Sequence, residues 1–215
     1  MSVMTQFQKL NKIFHFLASK SSIRAGEMGP DFYDKAFEEN DDWRSHYTQS
    51  EYYYLWSVIL DRVNRGEFKN ILEIGCGSGQ LAKAIDDLHL VDDYCGVDFS
   101  QLRVDYAKNL CPEYRFVVAD VFESSILEDY PYDLVIATEF LEHVERDLDV
   151  MGKIESTKTF IGTVPNFPWV SHVRHFESAS EVEHRYAYLF SEFDVLPLKA
   201  DNKGKTFFLI QGVKS

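Results

Sequence analysis

The chain has 215 residues, with 22 Lys and Arg against 35 Asp and Glu, a formal net charge of −13. Hydrophobic residues make up 45%, enough apolar surface for a large core, which excludes global disorder. The length suits one full-sized domain with terminal additions, and the acidic balance argues against a non-specific nucleic-acid binder, which needs basic surface to displace counterions.

Cysteines stand only at 76, 95 and 111, with no C-x-x-C pair. So sparse and odd a count reads as a reduced, cytoplasmic protein. The first 20 residues are too broken by Gln, Lys, Asn and His for a secretory segment. No stretch approaches the roughly 18 apolar residues of a membrane span. The oligomeric state has no readable signal.

In chain order, Phe7, Leu10, Phe14 and Leu17 recur at helical spacing and predict an amphipathic helix over 4–18. A Ser- and Gly-rich loop spans 19–29. Pro30 opens a short helix, and a longer one is expected from His46 to about Arg65, stopped by Gly66. Then short apolar runs alternate with helix-length segments. Strands are expected at 71–75, 94–99, 114–120, 132–138 and 157–164, with helices over 79–89, 101–110 and 140–154. That alternation is the pattern of a doubly wound, mostly parallel α/β sheet. Residues 193–198 and 205–213 flank a turn with Asn202 and Gly204 and read as a closing hairpin. The organisation expected is an N-terminal helical cap (1–66) and a core (67–215), with a long loop at 164–180 that suits a functional role.

Glu73-Ile-Gly75-Cys76-Gly77-Ser-Gly79 sits where the first strand hands over to a helix. Alternating glycines let the main chain turn tightly and let a ligand approach it closely. The spacing is G-x-G-x-G rather than the G-x-G-x-x-G of dinucleotide binders, which disfavours a nicotinamide-dependent oxidoreductase. An acid two residues before the first glycine suits a ligand with an ammonium group. Asp98 ends the next strand, 19 residues after Gly79, where an acid accepts ribose hydroxyls. Asp120 and Val121 close the third strand; Asp120 is placed to read an adenine amino group, and Phe99 and Val121 to sandwich the ring.

These residues together resemble the class I S-adenosylmethionine-dependent methyltransferases over about 70–164, with the hairpin extending the likeness to 213. The resemblance implies a Rossmann-like, seven-stranded sheet whose last hairpin strand is antiparallel. It also implies S-adenosyl-L-methionine as cofactor, with methionine near Glu73 and Gly75, ribose at Asp98 and adenine near Asp120, all beneath an N-terminal helical lid. Tyr47, in a segment dense in aromatic rings, is the lid residue expected near the cofactor.

Glu139-Phe-Leu-Glu142-His143 follows the fourth strand, and helical spacing would put Glu139, Glu142 and His143 on one face. His143 is the candidate general base, with Glu142 and Glu139 orienting it. The E-x-x-E-H run is similar to that of ubiquinone-type O-methyltransferases and, more weakly, small-RNA 3′-terminal methyltransferases, in which it implies a metal. A divalent metal is therefore a rival occupant, not the expected one. In the loop, Asn166, Trp169, His172 and His175 are the expected acceptor-pocket residues. The expected function is methyl transfer to an oxygen or nitrogen of a small molecule. The rivals are a metal-dependent RNA 2′-O-methyltransferase, disfavoured by eleven acids against two bases in 120–155, and a catalytically silent cofactor-binding sensor or partner subunit.

Overall fold

The computed structural model describes residues 26–215, so the helix expected over 4–18 lies outside the described residues. Helix α1 (Pro30–Glu39) begins on its proline, whose fixed φ suits a first helical turn. The single helix expected from His46 is instead one short 3-10 turn (Tyr47–Gln49) followed by α2 (Tyr53–Gly66), with another 3-10 turn, Asp41–Arg44, just before it. Local side-chain bonds outcompete the helix there: the His46 ring accepts from the Thr48 amide, and Ser50 Oγ accepts from the Tyr52 amide. Leu55, Trp56, Ile59, Leu60 and Val63 form the buried stripe of α2.

The α/β core then runs β1 (Asn70–Ile74), α3 (Gln80–Asp87), β2 (Asp93–Asp98), α4 (Gln101–Leu110), β3 (Arg115–Val118), α5 (Ile126–Asp129), β4 (Leu134–Ala137), α6 (Asp147–Lys153), β5 (Thr159–Pro165), α7 (Ala179–Tyr186), β6 (Phe190–Lys199) and β7 (Thr206–Lys214). The seven strands form one sheet in the order β3-β2-β1-β4-β5-β7-β6. Strands β1 to β5 are parallel, and β7 runs antiparallel between β5 and β6. One face packs on α2, α3 and α4 through residues such as Ile59, Ile85 and Val104, the other on α5, α6 and α7 through Leu127, Met151 and Val182. The doubly wound sheet and its closing hairpin are as expected from the sequence. Among the described residues no helix is long and apolar enough to cross a membrane.

Two expectations are corrected. The helix predicted over 140–154 starts only at Asp147. Glu139 is left-handed (φ 51), and the carbonyls of Leu141, Val144 and Glu145, which a helix would direct to its own amides, accept instead from the Arg174 guanidinium. The end of the long loop, in turn, is helix α7. Its N-cap Ser178 accepts from the Glu181 amide, and the Glu181 carboxylate accepts from the Glu177 amide.

Candidate active site

The strand order reverses between β1 and β4, and open α/β sheets bind ligands at the carboxyl ends of strands at such a point. There the β1–α3 turn has Gly75, Gly77 and Gly79 at φ of 72°, 53° and 80°, a region that penalises any side chain. A Cβ on Gly79 would also lie 2.9 Å from that of Ala107, so this glycine lets α3 meet α4. Asp98 is locked behind the turn: its two oxygens accept from the amides of Gly77 and Ser100, each at 2.9 Å. Burial raises its pKa, opposed by the Arg103 charge and those two amides.

A cavity opens over this turn. Its walls are Ile74 and Gly75 after β1, Val97, Asp98 and Phe99 after β2, Ala119 to Phe122 after β3, and Glu139, Phe140, His143 and Val144 after β4. Arg103 on α4 and Glu27, Met28 and Tyr33 from the N-terminal side complete it. Gly75, Asp98, Phe99, Asp120, Val121, Glu139 and His143 are thus gathered as the sequence suggests. Gly77 supports Asp98 through its amide, while Cys76 and Gly79 pack away from the cavity into the helical side of the core. Glu73 lies beneath the turn, where Tyr94 OH donates to its carboxylate; burial pushes its pKa up to about 7. Tyr47 sits outside the cavity, its ring 4.2 Å from that of His46 and 6.0 Å from that of Tyr53. Tyr33 fills the place expected of it, packing on Phe99 at 5.4 Å and edge-on to His143 at 6.0 Å.

The N-terminal segment is fastened to the cofactor-side elements by its backbone. Ser78 Oγ donates to Trp43 O at 2.6 Å, Gln80 Nε2 to Ser45 O at 2.8 Å, and Tyr106 OH to Arg44 O at 3.0 Å.

Beyond Glu139 lies a second cluster. Glu142 is fully buried, and among the described residues neither of its carboxylate oxygens has a hydrogen-bond partner. Burial raises the Glu142 pKa, and burial together with the Glu142 charge raises that of Glu139. The His143 and His172 rings stand 4.9 Å apart. Nδ1 of His143 lies 3.0 Å from Ser171 O, and Nδ1 of His172 lies 3.1 Å from Phe167 O. A carbonyl only accepts, so each Nδ1 carries its proton and each Nε2 keeps a bare lone pair. Burial pushes the two pKa values down, to about 4 and about 3, so both rings are neutral near pH 7. Ligand atoms of Glu142, His143 and His172 all lie within 4.8 Å of one another. The donor types and the backbone-anchored imidazoles fit a divalent cation.

The other loop residues divide. Asn166 ties the loop to the hairpin, donating to Gly204 O at 2.9 Å and accepting from the Thr206 amide at 2.8 Å. Trp169 and Phe167 flank the Lys205 ammonium. His175 turns away to Glu177, at 3.6 Å. Tyr33 and Arg103 were not among the site residues picked from the sequence.

Residues 72–157 match the family described as "Methyltransferase domain". A stretch of 94 residues is 31% identical to the 235L protein of Invertebrate iridescent virus 6, which bears a methyltransferase name; it covers 43% of this chain and 35% of that protein. The chain thus spans about a third of that relative's length. Among solved structures, the N-methyltransferase NodS of Bradyrhizobium japonicum WM9, in complex with S-adenosyl-l-homocysteine, aligns over 85% of this chain and 98% of its own, with TM-score 0.64 and 17% identity. The magnesium protoporphyrin IX methyltransferase of Synechocystis PCC 6803, with bound SAM, aligns over 86% and 95%, with TM-score 0.64 and 14% identity. Those two likenesses establish the fold, and the family match lays a methyltransferase domain over residues 72–157, the stretch that holds the glycine turn.

Proposed function

We propose that the protein transfers the methyl group of S-adenosylmethionine to an oxygen or nitrogen of a small-molecule acceptor. The observation that carries this reading is one cavity joining a ribose-type acid (Asp98), an apolar slot (Phe99, Val121) and a neutral imidazole (His143) at the carboxyl ends of β1 to β4. Bound there, S-adenosylmethionine supplies a methyl group on an electron-poor sulfonium. Asp98 holds the ribose hydroxyls, and Phe99 and Val121 flank the adenine beside Asp120. The segment containing Tyr33 closes the cavity and excludes water, so that rate comes chiefly from alignment. His143 Nε2 accepts the proton that the acceptor loses, with the ring held in place by its Nδ1 bond to Ser171 O.

A second reading is favoured by the position of His172. If Glu142, His143 and His172 hold a divalent cation, His143 is a ligand rather than a base, and the cation lowers the pKa of a bound hydroxyl. The acceptor is then an alcohol or phenol. An RNA acceptor remains disfavoured by the net charge of −13.

Calorimetric titration with S-adenosylmethionine and S-adenosylhomocysteine, in EDTA and with Mg²⁺ or Mn²⁺, tests both. Micromolar cofactor binding indifferent to metal, followed by turnover on small amines or alcohols that His143→Ala abolishes, supports the first. A separate metal isotherm lost in His172→Ala, with cofactor affinity retained, supports the second. Absence of cofactor binding refutes both, and cofactor binding without turnover on any acceptor leaves the silent sensor.

A further inference from the structure

The cavity has an unbalanced charge inventory. Its lining includes four acids, Glu27, Asp98, Asp120 and Glu139, and a single lysine or arginine among the described residues, Arg103. That arginine is also underused. Arg44, Arg174 and Arg185 each have a carboxylate within 4.0 Å, whereas Arg103 has none among the described residues. One guanidinium nitrogen donates to Tyr33 O at 3.2 Å. Nε is buried without any hydrogen-bond partner among the described residues. A buried cationic donor left unpaired is costly, so it points to a partner that arrives with a ligand.

The guanidinium plane is held in place. The Tyr33 ring lies 5.1 Å from its central carbon and the Trp43 ring 5.2 Å. Rings against the faces of the ion leave its N–H edges for hydrogen bonding. Nη1 is the nearest atom, at 4.0 Å, to the point where Gly77 would carry a side chain. The edge is therefore presented over the middle of the glycine turn, and the missing Cβ keeps that gap open.

On the reading of this cavity as the S-adenosylmethionine site, the cofactor's chemistry completes the match. Its sulfonium and α-ammonium groups are cationic and face a cavity rich in acids. It bears one anion, the α-carboxylate. We propose that Arg103 is the carboxylate anchor: its free N–H edge binds the methionyl carboxylate over Gly77, and Tyr33 and Trp43, clamped on the same ion, couple the N-terminal segment to cofactor occupancy. Arg103 is thus a selectivity residue that distinguishes the intact amino acid from truncated sulfonium nucleosides.

The test is a cycle in protein and ligand. Dissociation constants are measured calorimetrically for S-adenosylmethionine and its decarboxylated analogue, an aminopropyl sulfonium, with the unaltered protein, Arg103→Met and Arg103→Lys. Removing a charge-assisted hydrogen bond corresponds to on the order of ten- to a hundredfold in affinity. The unaltered protein should prefer S-adenosylmethionine by that factor. Arg103→Met should lose the preference, binding the analogue nearly as the unaltered protein does, and Arg103→Lys should keep part of it. If Arg103→Met weakens both ligands equally, the arginine only holds the N-terminal segment and the proposal fails. A lack of preference in the unaltered protein overturns it without any variant, even if Arg103→Met does not fold. If the unaltered protein binds neither nucleoside, the cofactor reading itself is refuted.

Discussion

Replacing Arg174 with alanine should loosen residues 139–146 more than any surface substitution. Its guanidinium serves the carbonyls of Leu141, Val144 and Glu145 and lies 3.3 Å from the fully buried Asp147 carboxylate, with its own side chain 14% exposed. Hydrogen bonds from a charged donor contribute about 1.5–3 kcal/mol each. Asp147 keeps Arg185, at 2.7 Å, and the Tyr186 hydroxyl, so its charge is not abandoned. The loss should therefore fall near 3–5 kcal/mol, the cost of breaking a buried charged network. Against a total stability of about 5–15 kcal/mol, that is a large share. Urea unfolding reads it as a lower midpoint with unchanged slope. Cofactor affinity should fall as well, because Glu142 and His143 ride on the segment that Arg174 holds. Arg174→Lys keeps the charge but cannot span three carbonyls, and should recover less than half. A loss under about 1 kcal/mol with unchanged affinity would show that something else shapes residues 139–146.

The two glycines of the turn should separate in a thermal melt. Gly79→Ala meets Ala107 at 2.9 Å as well as an unfavourable φ, and should cost about 2–4 kcal/mol. Gly77→Ala, with nothing closer than 4.0 Å, should cost about 1 kcal/mol; equal losses would mean that the α3–α4 contact relaxes freely. Because Glu73 is raised from 4.5 to about 7, the fold binds its proton more tightly than the unfolded chain does, so stability falls as pH rises from 4.5 through 7. Glu73→Gln should gain on the unaltered protein by up to about 3 kcal/mol between pH 5 and pH 8, and a pH-independent difference would disprove that burial. His143 and His172 act oppositely. Their pKa values are depressed from 6.5, so unfolded chains take up protons that the fold refuses, and stability should drop as pH falls from 6.5 towards 4. His172→Asn should flatten that slope in denaturation curves at pH 7, 6 and 5.

The part of the cavity built from the ends of β1, β2 and β3 was legible because its signals are local. Alternating glycines, an acid ending β2 and an acid ending β3 are properties of three short turns, and burial of both sheet faces writes the strands as apolar runs. The part after β4 depends on contacts distant in sequence. Nothing within 139–146 says that Arg174 will take its carbonyls and stop a helix from forming, although Glu139, Glu142 and His143 look helical by spacing. Which loop histidine would face His143 was equally hidden, since His172 and His175 differ by less than a turn and only the backbone path separates them. Tyr47 was chosen for aromatic density, which marks packing as readily as function; Tyr33 sits in a less conspicuous run. Helix α7, by contrast, was announced by Ser178 and Glu181 in a capping-box spacing and was simply overlooked.

The last hairpin has a consequence for how the protein is made. Strand β7 follows β6 along the chain yet lies inside it in the sheet, hydrogen-bonded to β5 from Thr159 to Pro165. While the chain is being synthesised, β5 and the four parallel strands behind it wait with an open edge until residues 206–214 have left the ribosome. Such an edge is an invitation to pair with another nascent chain. Closing it requires β7 to slot between two strands already made, a long-range step that keeps the aggregation risk open until residues 206–214 have emerged.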